Sequence, residues 1–159
     1  KLELASNLDS FTGLYNKKHT LVLIQKILEQ NPEKRHALVL IDIDNFKQVN
    51  DRYGHSQGDR VLLQIANNLK QNVRKTDILG RFGGDEFILF LQDIPNAEIL
   101  PIKLHPFLHY YCDALQGSNS IGISIFPEDS TNVDELFEQA DRALYHSKLK
   151  KEPTPYFLL

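Results

Sequence analysis

Two acids stand side by side in Arg81-Phe82-Gly83-Gly84-Asp85-Glu86-Phe87, directly after a pair of glycines. Adjacent carboxylates next to backbone that has no Cβ to obstruct a ligand suit a divalent metal or a phosphate-bearing substrate. A second acidic group lies upstream in Asp42-Ile43-Asp44-Asn45-Phe46-Lys47, and a third polar group in Asn50-Asp51 and His55-Ser56-Gln57-Gly58-Asp59. If Asp42 comes close to Asp85 and Glu86, the three carboxylates repel unless a cation neutralises them, and hard oxygen ligands select Mg²⁺ or Mn²⁺. Free N–H groups at a helix start near Phe46, with the charge of Lys47, suit a polyphosphate. A carboxylate accepts from two adjacent donors, and guanine offers N1–H and N2–H₂ in that geometry, so Asn50 and Asp59 suit guanine. Each cluster also has a plainer reading: solvated charges on a hairpin, Asp44 or Asn45 as a helix cap, Asp59 at a helix start.

These residues need elements to hold them. Apolar runs flank the Gly-Gly pair, the pattern of a β-hairpin whose two central positions take positive φ. Strand alternation sends Asp85 and Glu86 to opposite faces, which gives them different duties and makes Asp85 the reactive one. Ala37-Leu38-Val39-Leu40-Ile41 is unbroken and apolar, as in a central strand covered on both faces, and it ends on Asp42, where open sheets present ligands. Amphipathic helices are predicted over 17–30, 46–52, 59–73 and 133–148, and a strand over 120–126. The stretch 96–115 reads as a helix broken by Pro101 and Pro106. Hairpin and helix crossovers mixed in this order favour an α+β sandwich with a partly antiparallel sheet.

A chain of 159 residues with 42% apolar and 25% charged composition fits one domain with a real core. The net charge of −3 argues against a general nucleic-acid binder. Cys112 is the single cysteine, which excludes an internal disulfide and points to a reducing compartment. No apolar stretch approaches the ~20 residues that span a bilayer, and no signal-peptide pattern opens the chain. The chain has no Met, so we expect further sequence upstream.

A more specific signal is collinear: Asp9-Ser10-Phe11-Thr12-Gly13-Leu14-Tyr15-Asn16, then 42–51, 54–59, 81–87, Ser120-Ile121-Gly122-Ile123-Ser124, Pro127-Glu128-Asp129 and 140–148. In order and content these segments resemble a GGDEF domain, the catalytic module of diguanylate cyclases, which condense two GTP molecules into cyclic di-GMP. The resemblance implies a nucleotidyl-cyclase or polymerase-palm-like fold: a mostly antiparallel sheet with a βαββαβ core flanked by helices. It divides the chain into the end of an upstream signalling helix (1–7), the domain (8–151) and a tail (152–159).

By the same resemblance Asp42, the Ile43 carbonyl, Asp85 and Glu86 hold Mg²⁺ or Mn²⁺, with Asp85 also the base toward a ribose 3′-OH and Glu86 supporting that site. Asn50 and Asp59 read guanine, Phe46, Lys47 and Lys148 meet the triphosphate, and His55, Gly83 and Gly84 border the nucleotide. Arg74 and Asp77 form a product-inhibition site; read as residues alone, Arg74 and Lys75 also complement a helix end. One domain holds one GTP, so two copies face each other as a homodimer driven by an upstream sensory domain. The implied location is the cytoplasm, with the full-length protein free to attach to a membrane. Departures from the pattern are Glu152 where relatives carry an Arg, and no Arg between Arg81 and Arg142, where only Lys103 offers a replacement. The rival expectation is a degenerate module that binds GTP or cyclic di-GMP without turnover.

Overall fold

In the computed structural model, which describes residues 6–150 and 154–157, the apolar run after His36 forms β1 (His36–Ile43) at the centre of the sheet. Its residues alternate between two cores. Ala37, Val39, Ile41 and Ile43 face one, and Leu38 and Leu40 the other, all at or near zero exposure. The Gly-Gly hairpin supplies β2 (Ile78–Arg81) and β3 (Glu86–Leu91), with Gly83 at φ +89° and Gly84 at φ +55°, as the glycine pair predicts. The strand order is β2-β3-β1-β5-β4, antiparallel throughout, where β4 is His109–Cys112 and β5 is Leu115–Phe126. Residues expected in a tail add β6 (Pro155–Phe157), parallel to β5. The positions 1–5 and 151–153, and with them most of the upstream helix end and Glu152, lie outside the described residues.

Helices cover both faces. α1 (Lys17–Gln30) is capped by Asn16, whose side chain accepts from the His19 N–H. α2 (Phe46–Tyr53) and α3 (His55–Gln71) follow β1, and Val49, Val61, Ile65 and Leu69 pack on the Val39 side. α4 (Leu100–Leu104) is a single turn, and α5 (Val133–Lys148), capped by Asn132, packs with α1 on the Leu38 side. Among the described residues no helix is long and apolar enough to cross a membrane.

The structure corrects the sequence reading in three places. First, α3 begins at His55, not at 59. Its first turn is polar and contains Gly58, so apolar periodicity starts only at Val61, and packing against α2 carries the earlier turn. Second, 96–115 is not a broken helix: two 3₁₀ turns bracket α4, and β4 then pairs with an early start of β5. The connecting turn is Asp113-Ala114 with Asp113 at φ +56°, and it lacks the Asn-Gly or Asp-Gly signature that marks a hairpin in sequence. Third, neither cap candidate caps α2 through its side chain. Asn45 sits in the left-handed region at φ +56°, and the Asp44 carboxylate instead accepts from the Ser118 and Ser120 hydroxyls at 2.6 and 2.5 Å.

Gly122 sets how closely α5 approaches the sheet. A Cβ there would lie 2.2 Å from the Ala140 carbonyl oxygen and 2.3 Å from the Leu144 nitrogen, so helix backbone rests directly on strand backbone. The Ser124 hydroxyl donates to the Leu136 carbonyl at 2.7 Å and fixes the same contact one turn earlier. With that register set, the last residue of α5, Lys148, arrives over the end of β1.

Candidate active site

The pairing of β1 with β3 places Asp42 directly opposite Glu86, and Glu86 lies on the α5 face with Ile88 and Phe90. The Ile43 N–H donates to the Asp85 carbonyl at 3.1 Å, which ties the hairpin turn to the end of β1. Asp85 belongs to the turn, ahead of β3, so strand alternation does not separate it from its neighbours. Its charge acts on both Asp42 and Glu86.

Lys148 closes the group with Nζ 2.5 Å from Asp42 Oδ2. A hollow of about 180 Å³ is lined by Asp42, Glu86, Asp141, Leu144, Tyr145 and Lys148. Lys148 also borders a polar hollow of about 270 Å³ shared with Asp44, Asn45, Ser118, Ser120, Ser147 and Lys150.

Burial, and then the Asp85 charge, push the Asp42 carboxyl up to about 7 despite the Lys148 ammonium. Burial also raises Glu86, followed by the charges of Asp141 and Asp85. For Lys148, burial would lower the ammonium, but its bond to Asp42 outweighs this and holds it above its ordinary value. The site therefore carries more negative charge than Lys148 neutralises.

Asp42 Oδ1 is buried and has no hydrogen-bond partner, and a carboxylate oxygen can only accept. A hard divalent cation fits that oxygen and the carboxylates around it. Among the described residues, however, no three His, Cys, Asp or Glu side chains converge as a ligand cage, so the expected cluster of three carboxylates is here a facing pair with Asp85 beside it.

The segment before α1 buttresses the turn. Arg81 donates from Nη2 to the Gly84 carbonyl at 2.7 Å and from Nη1 to both Asp9 oxygens at 3.1 Å, while Thr12 gives Asp9 its N–H and its hydroxyl at 2.8 and 2.7 Å. Burial works to raise the Asp9 carboxyl, but the Thr12 and Arg81 bonds together hold it below its ordinary 3.8. A depressed carboxyl contributes stability above the unfolded value and loses it as pH falls through the folded one. Asp9→Asn should therefore flatten the acid limb of thermal stability below pH 3.8, measured as Tm against pH, and leave the slope near neutrality unchanged.

On the other face, the α2–α3 corner gathers the polar third cluster. The Asn50 amide lies against Gly58, where a Cβ would come within 1.8 Å of Asn50 Oδ1, and the Phe46 ring crowds the same spot at 3.3 Å. Asp59 and His55 are exposed on the first turn of α3 beside it, and Lys47 is exposed on α2.

Arg74 and Asp77 are occupied by each other. Arg74 Nη2 donates to Asp77 Oδ1 at 3.1 Å and also to the Gln92 carbonyl, and Asp77 further accepts from the Arg74 and Gln92 N–H groups at 2.9 and 3.2 Å. The Asp77 side chain has 0% exposure and the Arg74 side chain 48%, so only the arginine faces solvent.

A model of the family described as diguanylate cyclase, GGDEF domain, matches residues 6–153. The chain belongs to the GGDEF family. The bifunctional diguanylate cyclase/cyclic di-GMP phosphodiesterase MucR of Pseudomonas aeruginosa is 35% identical over 149 residues, 88% of this chain and 22% of that protein. Diguanylate cyclase DgcM of Escherichia coli is 35% identical over 153 residues, 93% of this chain and 37% of that protein. The chain thus spans well under half the length of these relatives. Among solved structures, the isolated GGDEF domain of TpbB (YfiN) from P. aeruginosa superposes with a TM-score of 0.86 at 29% identity, covering 94% of this chain and 93% of that one. Diguanylate cyclase SiaD of P. aeruginosa, in complex with its activator SiaC, superposes at 0.85 with 30% identity, over 99% of this chain and 64% of that one.

Within this GGDEF domain, sequence reasoning passed over Asp141, Tyr145 and Gly58. The first two share a face of α5 with Lys148 at i, i+4 and i+7, a spacing that the sequence displays. Gly58 carries the other signal, a glycine inside a helical stretch with nothing local to require it.

Proposed function

We infer that this domain joins GTP molecules into cyclic di-GMP with release of pyrophosphate, and the observation that carries the reading is the facing pair of Asp42 and Glu86 with Asp85 and Lys148 against it. Asp42, the Ile43 carbonyl, Asp85 and Glu86 would hold Mg²⁺ or Mn²⁺, which when bound supplies charge for the pyrophosphate leaving group and a lower 3′-OH pKa. Lys148 offers its ammonium to the triphosphate, and the N–H groups of Phe46 and Lys47, which no side chain caps, accept a phosphate oxygen. Asp59 takes the guanine N1–H and N2–H₂ while Asn50 reads a neighbouring acceptor, and His55 with the bare backbone of Gly83 and Gly84 borders the nucleotide. Asp85 takes the 3′-OH proton as that oxygen bonds to the α-phosphorus and the bond to pyrophosphate breaks.

A single domain presents one such site, so the reaction needs two copies facing each other, each nucleotide attacking the other's α-phosphate, and an upstream sensory domain in the cytoplasm would set that geometry. Dimerised protein incubated with GTP and Mg²⁺ should yield cyclic di-GMP and pyrophosphate; GTP left intact would overturn the reading. The second reading, a GTP- or cyclic di-GMP-binding module without turnover, draws on the Lys148–Asp42 ion pair and the missing three-carboxylate convergence. Calorimetric binding of GTP with no product would establish it.

Gly58→Ala tests guanine reading. In an exposed helix interior this change gains up to ~1 kcal/mol, but here the methyl would displace Asn50. GTP affinity should drop about tenfold, the equivalent of roughly 1.4 kcal/mol, with little loss of Tm. Product inhibition is assigned to the exposed face of Arg74, with Asp77 as its anchor. Arg74→Ala should raise the cyclic di-GMP concentration needed for half inhibition about tenfold, in keeping with the loss of one charge-assisted contact.

A further inference from the structure

A cavity of about 350 Å³ lies between α3 and the 3₁₀ turn that leads into β4, away from every residue assigned to the nucleotide. Its floor is Asn119, which is 1% exposed. Asn119 Nδ2 donates to the Phe107 carbonyl at 2.8 Å, and its backbone N–H donates to the Leu108 carbonyl at 2.8 Å. The first bond fixes which way the amide points. Oδ1 is then the free end, and it is buried with no hydrogen-bond partner. A buried unsatisfied acceptor costs about 1–3 kcal/mol, so a donor that reaches it is strongly favoured.

The walls are also held in place. Asn68 Nδ2, on α3, donates to the Pro106 carbonyl at 3.2 Å and ties the helix to the turn. Three features of the lining define what fits. The volume is about ten times the ~30 Å³ that one water occupies in the liquid, and it falls at the lower end of small-molecule sites. Planar surfaces predominate, supplied by Phe107, Tyr110 and the rings of His105 and His109. Among the described residues that line it there is no Lys, Arg, Asp or Glu, so nothing compensates a phosphate or any other full charge.

We propose that this cavity is a second ligand site that takes a small, neutral, planar heterocycle of the nucleobase class, with a ring or exocyclic N–H donating to Asn119 Oδ1. Gln64, at the exposed edge of α3, is placed to pair with the outer side of the ring. A nucleotide is disfavoured, because its phosphates would lie against uncharged walls. The site is independent of the GTP reading and would exist in a catalytically silent domain as well.

Free adenine is the probe, followed by amide chemical shifts of the whole domain. Adenine should shift Gln64, Tyr110 and Asn119 in a saturable way, and excess GTP with Mg²⁺ should leave those shifts in place. Asn119→Leu should abolish them. Because Asn119→Leu also removes the bond to Phe107 and can unfold the turn, Gln64→Trp serves as a second variant: it covers the mouth from an exposed position and should abolish binding at unchanged Tm. No saturable shift up to the solubility of adenine, shifts that GTP displaces, or binding that survives Gln64→Trp would each overturn the proposal.

Discussion

Asp85→Asn should lower the rate of cyclic di-GMP formation by about a thousandfold, within the range seen when a positioned base is removed, and leave the fold intact. The side chain is isosteric, and the link between the turn and β1 runs through the Asp85 backbone carbonyl, which the substitution keeps. What changes is charge. Asp85 raises both Asp42 and Glu86, so its neutral replacement should make both of them easier to ionise even as the proton acceptor is lost. The variant therefore separates two roles that activity alone would merge: GTP binding measured by calorimetry should persist within a few fold, whereas turnover disappears. Retention of full turnover would remove Asp85 from the reaction and leave Glu86, the residue that pairs with Asp42, as the candidate.

Gly122→Ala should destabilise the domain by about 3 kcal/mol or more, the upper range for overpacking. The reason is that the added methyl meets backbone. Ala140 O, Leu144 N and Leu144 Cα, at 2.2, 2.3 and 2.7 Å from the new Cβ, belong to the middle of α5 and cannot swing aside as a side-chain tip could. For a domain of this size that corresponds to a fall in Tm of roughly 6–12 °C by thermal denaturation. The loss should spread to the site, because α5 carries Asp141 and Lys148. A helix lifted from β5 moves the ammonium off Asp42, and GTP affinity should fall along with Tm. Gly117→Ala offers a contrast: the contacts there are with the ring of Tyr110, a side chain on a short edge strand, and the effect should be smaller.

The parts of this fold that could be read from sequence are those whose cause is local. β1 announced itself by an unbroken apolar run, the β2–β3 hairpin by its glycine pair, and α5 by apolar residues at helical spacing. What escaped had nonlocal causes. The β4–β5 hairpin turns at Asp113-Ala114 with no glycine, and the start of β5 is polar because Ser118 and Ser120 serve Asp44 and Asn119 serves the Phe107 carbonyl. Asp44 looked like a cap because spacing cannot show that two serines of a neighbouring strand would claim its oxygens. At the site, sequence named Asp42, Glu86 and Lys148 individually. That Asp42 faces Glu86 follows from strand register, and the close approach of Lys148 from the contact at Gly122, neither of which is written in any one segment.

β1 has a hydrogen-bonded neighbour on each side and cores on both faces. Its amides should thus be among the slowest in the domain to exchange with solvent deuterium, opening only when the whole domain unfolds. Asp42 at its end is in effect a fixed datum. The hairpin turn and the last turn of α5 reach that datum through single attachments, the Ile43–Asp85 bond and the Lys148 ion pair. Any signal that adjusts this site must act by moving those two against a strand that stays still, and exchange protection should change at 83–86 and 145–149 while 37–42 remains silent.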